Sequence, residues 1–193
     1  PLPFSSLYVA EDWELGAIKS VGHEPGGDIL CGQSPTDWGK PGFILNTSSF
    51  INGEEGINRH GLAAAMTFVM PKLEEIKPGL NSVFLVRYIL ENCKNVEEGI
   101  ETLQRLPIAS SCNILLADRH GEMVVVECNP FQMQIRYPEK NKQGENFIVT
   151  VNHFTSQEMR EHDASERNAY FSEIRYQTAL DAFILRTPHP KPP

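Results

Sequence analysis

Residues 63–70 place the strongest constraint on the fold, because Thr67 is their only polar member. A strand with one solvated face alternates apolar and polar residues, whereas a strand that is apolar at nearly every position is covered on both faces. Pro71 ends the run, since proline cannot continue a central strand. The chain must therefore supply a covering layer on each side of the sheet that contains this strand.

Two amphipathic helices that suit one such layer follow the strand. Residues 80–93 carry apolar side chains at helical spacing. The next helix starts at Asn95, an N-cap residue with Glu98 three positions later, and ends at Pro107. The sequence therefore predicts two successive helices after the strand.

The remaining segments read mainly as strands joined by turns. Strands are predicted at residues 113–117, 123–128, 131–137 and 146–152, with the turn Asp118-Arg119-His120-Gly121 between the first two. Residues 1–41, rich in Gly and Pro, are predicted to form a hairpin and loops. A last helix is predicted from Ser165, as N-cap, to about residue 183. Strands, helices, strands and a helix in that order predict an α+β protein of two or more layers, because strict βαβ alternation is absent.

Length and charge restrict the domain count and the classes of partner. The chain has 193 residues, enough for one core, and we expect one domain over 1–186 with a Pro-rich tail over 187–193. The 17 Lys and Arg against 25 Asp and Glu give a net charge of -8, whereas nucleic-acid binding needs clustered cations. No apolar run reaches the roughly 18 residues of a membrane helix, and no secretory leader opens the printed chain. We therefore expect no nucleic-acid or membrane partner and a cytoplasmic location.

The four cysteines lack the spacing of a zinc or redox site, so no metal is expected. Cys112 and Cys128 lie in apolar strands and Cys93 near a helix end, which favours buried thiols over the alternative of a disulfide pair. Cys31 remains open as a nucleophile paired with His23 or His153, although no spacing supports that pair.

Two pairs of polar residues are candidates for a site. Asn152 and His153 follow a strand end, where strands deliver polar groups to active sites, although a lone histidine is more often satisfied within a turn. Asp118 and His120 are better explained as turn residues than as a catalytic dyad. Residue patterns alone thus lead no further than an α+β domain.

Five segments together resemble the choloylglycine hydrolase and penicillin V acylase family and the related acyl-coenzyme A:6-aminopenicillanic acid acyltransferases of the C45 peptidase group. They are Gly56-Ile57-Asn58-Arg59-His60-Gly61-Leu62, the segment from Tyr88 to Glu98, the hairpin from Asn113 through Asp118 and Gly121 to Glu127, Val151-Asn152-His153, and Ser165-Glu166-Arg167. Each segment is weak evidence, but they stand in the family's order over roughly residues 20–176. Asn152-His153 and Ser165-x-Arg167 are more similar to the acyltransferase side.

The resemblance implies an N-terminal nucleophile hydrolase, an αββα sandwich of mainly antiparallel sheets. In that family a Cys becomes the first residue after processing, and its own α-amino group activates the thiol for attack on an amide carbonyl. Asn152 matches the Asn that helps to form the oxyanion hole, and Arg167 matches the Arg that holds the polar network around the nucleophile. No metal or organic cofactor is implied.

The chain also departs from the family pattern. Residue 1 is Pro, so we expect the nucleophile outside this chain and a natural protein that continues at both ends. Phe68 aligns where the family offers Asn or Tyr as a second oxyanion contact, so only its backbone can serve. Phe68, Met66 and Asn58 are predicted to contact substrate. The alternative for the apolar side chains among them is that they form core.

The function implied is amide hydrolysis or acyl transfer on a small N-acyl amide. The alternative is a non-catalytic domain that keeps the scaffold and binds a ligand or a partner. Whether the protein forms a homo-oligomer is left open. A bound acylated amine with no release of free acid would distinguish the second function from the first.

Overall fold

The computed structural model describes residues 8–11, 18–20, 32–33, 42–46, 53–164 and 171–184, with side chains from residue 42 onward. The strands are β1 (Tyr8–Glu11), β2 (Ile18–Ser20), β3 (Gly32–Gln33), β4 (Phe43–Asn46), β5 (Glu55–Asn58), β6 (Ala63–Phe68), β7 (Cys112–Ala117), β8 (Met123–Cys128), β9 (Met133–Arg136), β10 (Glu139–Lys140) and β11 (Asn146–Thr150). The helices are α1 (Ser82–Asn92), α2 (Val96–Arg105) and α3 (Ser172–Ile184), with 3-10 turns at Leu73–Glu75 and Arg160–His162.

The strands form two antiparallel sheets. The larger sheet runs in chain order from β3 to β9, and the smaller one has the order β10-β11-β1-β2. Helices α1 and α2 pack on one face of the large sheet around a core that includes Leu90, Leu103 and Leu116. Helix α3 packs on the outer face of the small sheet, where Phe183 stacks on Phe147 with 5.5 Å between ring centroids. The expected αββα fold is therefore confirmed.

Strand β6 is covered on both faces, as its sequence predicts. Ala64 and Met66 lie in the core beneath the helices, whereas Ala65 packs between the sheets with Ile148 of β11. The strand ends at Phe68, two residues before the predicted end at Met70. Its neighbour β7 begins at Cys112, which pairs with Phe68, so β7 offers no partner to the two residues after Phe68.

The start of α2 and the hairpin turn also agree with the predictions. The Asn95 side chain accepts a hydrogen bond from the Glu98 amide and caps α2. Asp118 is a turn residue: its Oδ1 accepts from the His120 amide at 2.9 Å, and its Oδ2 accepts from the Val96 amide at 3.0 Å. The Asp118 side chain thus joins the β7–β8 turn to the start of α2.

One predicted strand differs from the structure, and two predicted segments lie wholly or partly outside the described residues. Strand β9 starts at Met133 instead of residue 131, because Asn129 Oδ1 accepts from the amides of Phe131 and Gln132 and holds both in a turn. Residues 165–170, including the predicted cap Ser165, lie outside the described residues, and the described helix α3 begins at Ser172. The β1–β2 pair supports the predicted N-terminal hairpin, whereas the predicted tail over 187–193 also lies outside the described residues.

The segment from Gly56 to Leu62 has a structural role. A Cβ at Gly56 would lie 2.4 Å from the Ile44 carbonyl oxygen, so only glycine fits there. Asn58 Oδ1 accepts from the amides of His60 and Leu62, and its Nδ2 donates to the carbonyls of Leu90 and Cys93. Gly61 has φ of 81°, which favours glycine. This segment therefore fastens the β5–β6 turn to the end of α1.

None of the helices within the described residues combines the length and the apolar character that crossing a membrane requires.

Candidate active site

A row of buried polar side chains crosses the large sheet on the face toward the small sheet. Thr67 of β6 pairs in register with Asn113 of β7, and Asn113 pairs with Glu127 of β8. All three side chains are fully buried. We call these three residues the polar row. A buried polar side chain is costly unless it is hydrogen-bonded. The hydrogen-bond partners of these three side chains therefore show which segment of the chain the polar row holds in place.

Thr67 and Asn113 hold the chain that follows β11. Thr67 Oγ1 donates to the Val151 carbonyl at 2.6 Å. Asn113 Nδ2 lies 2.9 Å from the Val151 carbonyl and 3.2 Å from that of His153. Both side chains therefore fix the backbone on either side of Asn152.

Glu127 holds the next stretch of the same segment. Its carboxylate accepts from the Thr155 amide at 2.8 Å, the Ser156 amide at 3.0 Å and the Ser156 hydroxyl. Arg136 Nη1 lies 3.4 Å from the same carboxylate and donates to the Val149 carbonyl. Residues 151–156 are thus held at one end of the space between the sheets by directional bonds.

Asn152 lies at this end with its side-chain amide held from both sides. Its Nδ2 donates to the Phe68 carbonyl oxygen at 2.9 Å, and its Oδ1 accepts from Arg175 Nη2 of α3 at 3.1 Å. The side chain is 8% exposed. An amide donates hydrogen bonds without titrating, so Asn152 suits the stabilisation of a developing negative charge.

His153 makes a second contact between this segment and α3. Its Nδ1 lies 2.8 Å from Ser172 Oγ, its Nε2 lies 3.6 Å from the Glu173 carboxylate, and its ring meets the edge of Tyr176. Both His153 and Ser172 are buried. The arrangement therefore fits a satisfied structural histidine that fastens α3 to the segment.

Strand β1 starts at the same end of the small sheet. Tyr8 lies opposite Thr150 in the antiparallel β1–β11 pair. Since Thr150 ends β11, the first residue of β1 lies beside the strand end that leads into Asn152.

The three predicted substrate residues lie in different places. Met66 is 8% exposed in the core beneath the helices. Phe68 is 43% exposed, and its carbonyl meets Asn152. Asn58 Oδ1 accepts from the amide of Leu62, which is six residues before Phe68 and so about 20 Å from it. The Asn58 amide is fully occupied. The structure therefore brings Phe68 to Asn152 and leaves Asn58 and Met66 apart from it.

Arg167 and Cys31 lie outside the described residues, so their predicted roles stay predictions. The other three thiols are free and buried, as expected. A hydrogen bond with Cys112 and then burial hold the pKa of Cys128 well above its ordinary value. Burial raises the pKa of Cys93. Cys93 and Cys128 are therefore poor nucleophiles at neutral pH.

Two further features bear on ligands. Within the described residues, no group of three or more His, Cys, Asp or Glu side chains is arranged to hold a metal ion. A groove of about 330 Å³ lies between the end of α2 and the turn after β8, with Lys77, Leu106 and Phe131 among its lining residues. None of the predicted site residues lines this groove.

Residue patterns alone did not identify the polar row or Arg175 as parts of the site. A signal for the row was present, because Thr67, Asn113 and Glu127 are each polar within otherwise apolar strands. Register aligns the three, and register is fixed by the turns and by the core face. Arg175 gave no such signal, since an arginine near the start of a helix is ordinary.

Comparisons with known proteins give one family and several related folds. A family model described as acyl-coenzyme A:6-aminopenicillanic acid acyl-transferase matches residues 37–184. The structure of a Caenorhabditis elegans ortholog of N-acylethanolamine-hydrolyzing acid amidase matches with a TM-score of 0.58 and 12% identity, over 96% of this chain and 87% of that chain. This likeness supports the four-layer fold.

Two other structures match less closely in shape. Penicillin V acylase from Agrobacterium tumefaciens has a TM-score of 0.47 and 20% identity, over 93% of this chain and 55% of that chain. A mutant of conjugated bile acid hydrolase from Clostridium perfringens has a TM-score of 0.43 and 16% identity, over 78% of this chain and 46% of that chain. This chain therefore spans about half the length of each. No curated protein sequence gives a significant match.

Proposed function

The chain belongs to the acyl-coenzyme A:6-aminopenicillanic acid acyl-transferase family, and from this membership we propose that the whole protein cleaves or transfers the acyl group of a small N-acyl amide. The matched segment covers residues 37–184, which includes Asn152 and its contacts with Phe68 and Arg175. The proposal assigns the nucleophile to a cysteine outside this chain, in keeping with the resemblance of its motifs to N-terminal nucleophile hydrolases.

The proposed reaction has two steps. The cysteine thiol loses its proton to its own α-amino group, and the sulfur forms a bond to the amide carbonyl carbon. The tetrahedral intermediate then collapses: the C–N bond breaks, the amine leaves with the proton, and a thioester remains. Water attacks the thioester to give the free acid, or a second amine attacks it to give a new amide. In either case the C–S bond breaks, and the proton lost by the attacking group returns to the sulfur through the α-amino group.

The position of Asn152 is the observation that supports this proposal best. Its amide lies where β6 and β11 both end and where β1 begins. We propose that the nucleophile, which precedes β1 in the chain, lies near the strand end that carries Asn152. We assign to Asn152 the stabilisation of the oxyanion, for which an amide donor held by its neighbours is suited because no reorganisation is needed during reaction.

The acyl group is proposed to be apolar. Phe68 and Met70, which are 43% and 39% exposed, lie at the end of β6 next to the Asn152 contact. Large apolar side chains that remain exposed beside a polar group are typical of a pocket that binds an apolar substituent. Arg167 is proposed to hold the polar network around the nucleophile, as its match to the family motif implies.

The test uses the full-length protein with a panel of penicillin V, conjugated bile acids, N-acyl-homoserine lactones and peptidyl amides. We expect release of acid or transfer of the acyl group from at least one of them. Asn152→Ala should lower kcat by about 10²–10³-fold, the usual effect of removing one oxyanion donor. Asn92→Ala, which removes an exposed asparagine of α1, is the matched control and should leave kcat unchanged.

Two results would contradict the proposal. One is a kcat for Asn152→Ala equal to that of the unmodified protein. The other is calorimetric binding of an N-acyl amide by the full-length protein without release of acid or transfer of the acyl group. That second result would support the alternative of a non-catalytic binding domain.

A further inference from the structure

We propose that Arg175 of α3 is a positioning residue that fixes the orientation of the Asn152 amide for catalysis. The inference rests on the proposed function, because it gives Arg175 its effect through the oxyanion contact assigned to Asn152. It adds a residue from a different layer of the fold, eight positions beyond Arg167 in the chain.

These two contacts of Asn152 leave its amide one favourable orientation. Arg175 carries only hydrogen-bond donors, and it faces Asn152 Oδ1 at 3.1 Å. The Phe68 carbonyl oxygen only accepts, and it faces Nδ2 at 2.9 Å. Rotating the amide by 180° would place donor against donor and acceptor against acceptor. Together Arg175 and the Phe68 carbonyl therefore keep the NH₂ group at the end of β6.

The charge of Arg175 also affects the amide. A hydrogen bond from a guanidinium to the amide oxygen is stronger than a neutral one, and bonds in a chain polarise one another. The chain here runs from Arg175 through Asn152 to the Phe68 carbonyl. Polarisation of this kind makes the amide NH₂ group a better donor to a developing oxyanion. Partial burial lowers the pKa of Arg175, and a guanidinium remains charged at neutral pH in spite of such a shift.

Helix α3 holds Arg175 in place. Ser172 and Arg175 are one helical turn apart on the same helix face, and they contact His153 and Asn152, which are consecutive. The far end of the helix is packed on β11 through the stack of Phe183 on Phe147. The helix thus presents Arg175 from a rigid element, as a positioning residue requires.

The test compares Arg175→Met with Arg175→Lys in the full-length protein. Arg175→Met should lower kcat by about 10–100-fold, less than the loss of the donor itself, while KM changes by less than about twofold. Arg175→Lys keeps the positive charge but lacks the planar guanidinium with its several donors, so it should recover part of the loss in kcat. Arg105→Met, which removes an exposed arginine of α2, is the matched control and should have no effect on kcat.

A double-mutant cycle shows whether the effect passes through Asn152. In the Asn152→Ala background, Arg175→Met should cause no further fall in kcat, because residues that act as one unit are not additive. The inference would be overturned if the fold-losses of kcat caused by Asn152→Ala and Arg175→Met multiplied in the double variant. An unchanged kcat in Arg175→Met would overturn it as well. If the unmodified protein turns over no substrate, the proposed function fails first and takes this inference with it. If the unmodified protein is active and Arg175→Met has the same kcat, only this inference fails and the proposed function stands.

Discussion

The two faces of the large sheet are built on different principles. The face toward α1 and α2 is mainly apolar, with Ala64, Leu116 and Val126 fully or almost fully buried. The face toward the small sheet is apolar only in part, through Leu115 and Val125, and at the other end carries the polar row. Apolar packing is not directional, whereas hydrogen bonds fix position. The first face therefore mainly provides stability, and the second determines where Asn152 lies.

The strongest test of this difference is Glu127→Ala. The substitution leaves Arg136 and the amides of Thr155 and Ser156 without their buried carboxylate. We expect the free energy of unfolding to fall by about 3–5 kcal/mol, as when one partner of a buried ion pair is removed. Urea unfolding measures this loss. Activity per folded molecule should fall as well, because the segment that carries Asn152 loses its support.

A small effect of Glu127→Ala on both stability and kcat would contradict the assigned role. Glu127→Gln is the informative companion, since it keeps the size of the side chain and one acceptor oxygen. It should lose less stability than Glu127→Ala.

On the apolar face, Leu116→Ala should destabilise the protein without a specific effect on catalysis. Leu116 is fully buried beneath α2, and a leucine truncated in such a core costs about 3 kcal/mol through lost burial and the cavity left behind. The measurement is again urea unfolding, paired with kcat at a temperature where the variant is folded. A fall in kcat comparable to that of Glu127→Ala would remove the distinction between the two faces.

The features that the sequence predicts are local ones, whereas those that it does not predict depend on contacts between strands or layers. The doubly covered strand that begins at Ala63, the capped helix after Asn95 and the turn at Asp118 are local patterns, and the structure agrees with them apart from the strand's end at Phe68. The polar row depends on register across three strands, which no local pattern shows. Contacts such as Arg175 with Asn152 join residues of different layers and require the packed fold. The strand end marks Asn152 as a candidate, but its role as an oxyanion donor comes only from the family resemblance.

Within the polar row, Thr67→Val removes a single hydroxyl at nearly constant shape, and that hydroxyl also accepts from Asn113 Nδ2 at 3.0 Å. The substitution removes the hydroxyl that donates to the Val151 carbonyl. We expect a loss of about 1–2 kcal/mol in the free energy of unfolding, because a buried carbonyl loses one of its donors, with a measurable fall in kcat. Thr178→Val, at an exposed threonine of α3, should change neither quantity. Equal kcat values for Thr67→Val and the unmodified protein would mean that Asn113 alone holds the segment.

The smallest expected effect lies at the helix layer, where Asn95→Ala removes the cap of α2. The Asn95 side chain accepts from the Glu98 amide at 2.9 Å, and loss of such a cap costs about 1 kcal/mol. A thermal-unfolding midpoint lowered by a few degrees, with kcat unchanged, is the expected result. Because α2 lies on the opposite side of the large sheet from Asn152, a reduced kcat at full folding would mean that the apolar layer transmits changes to the site. The two faces would then not be separable, and the catalytic effects expected of the polar row could not be assigned to its contacts alone.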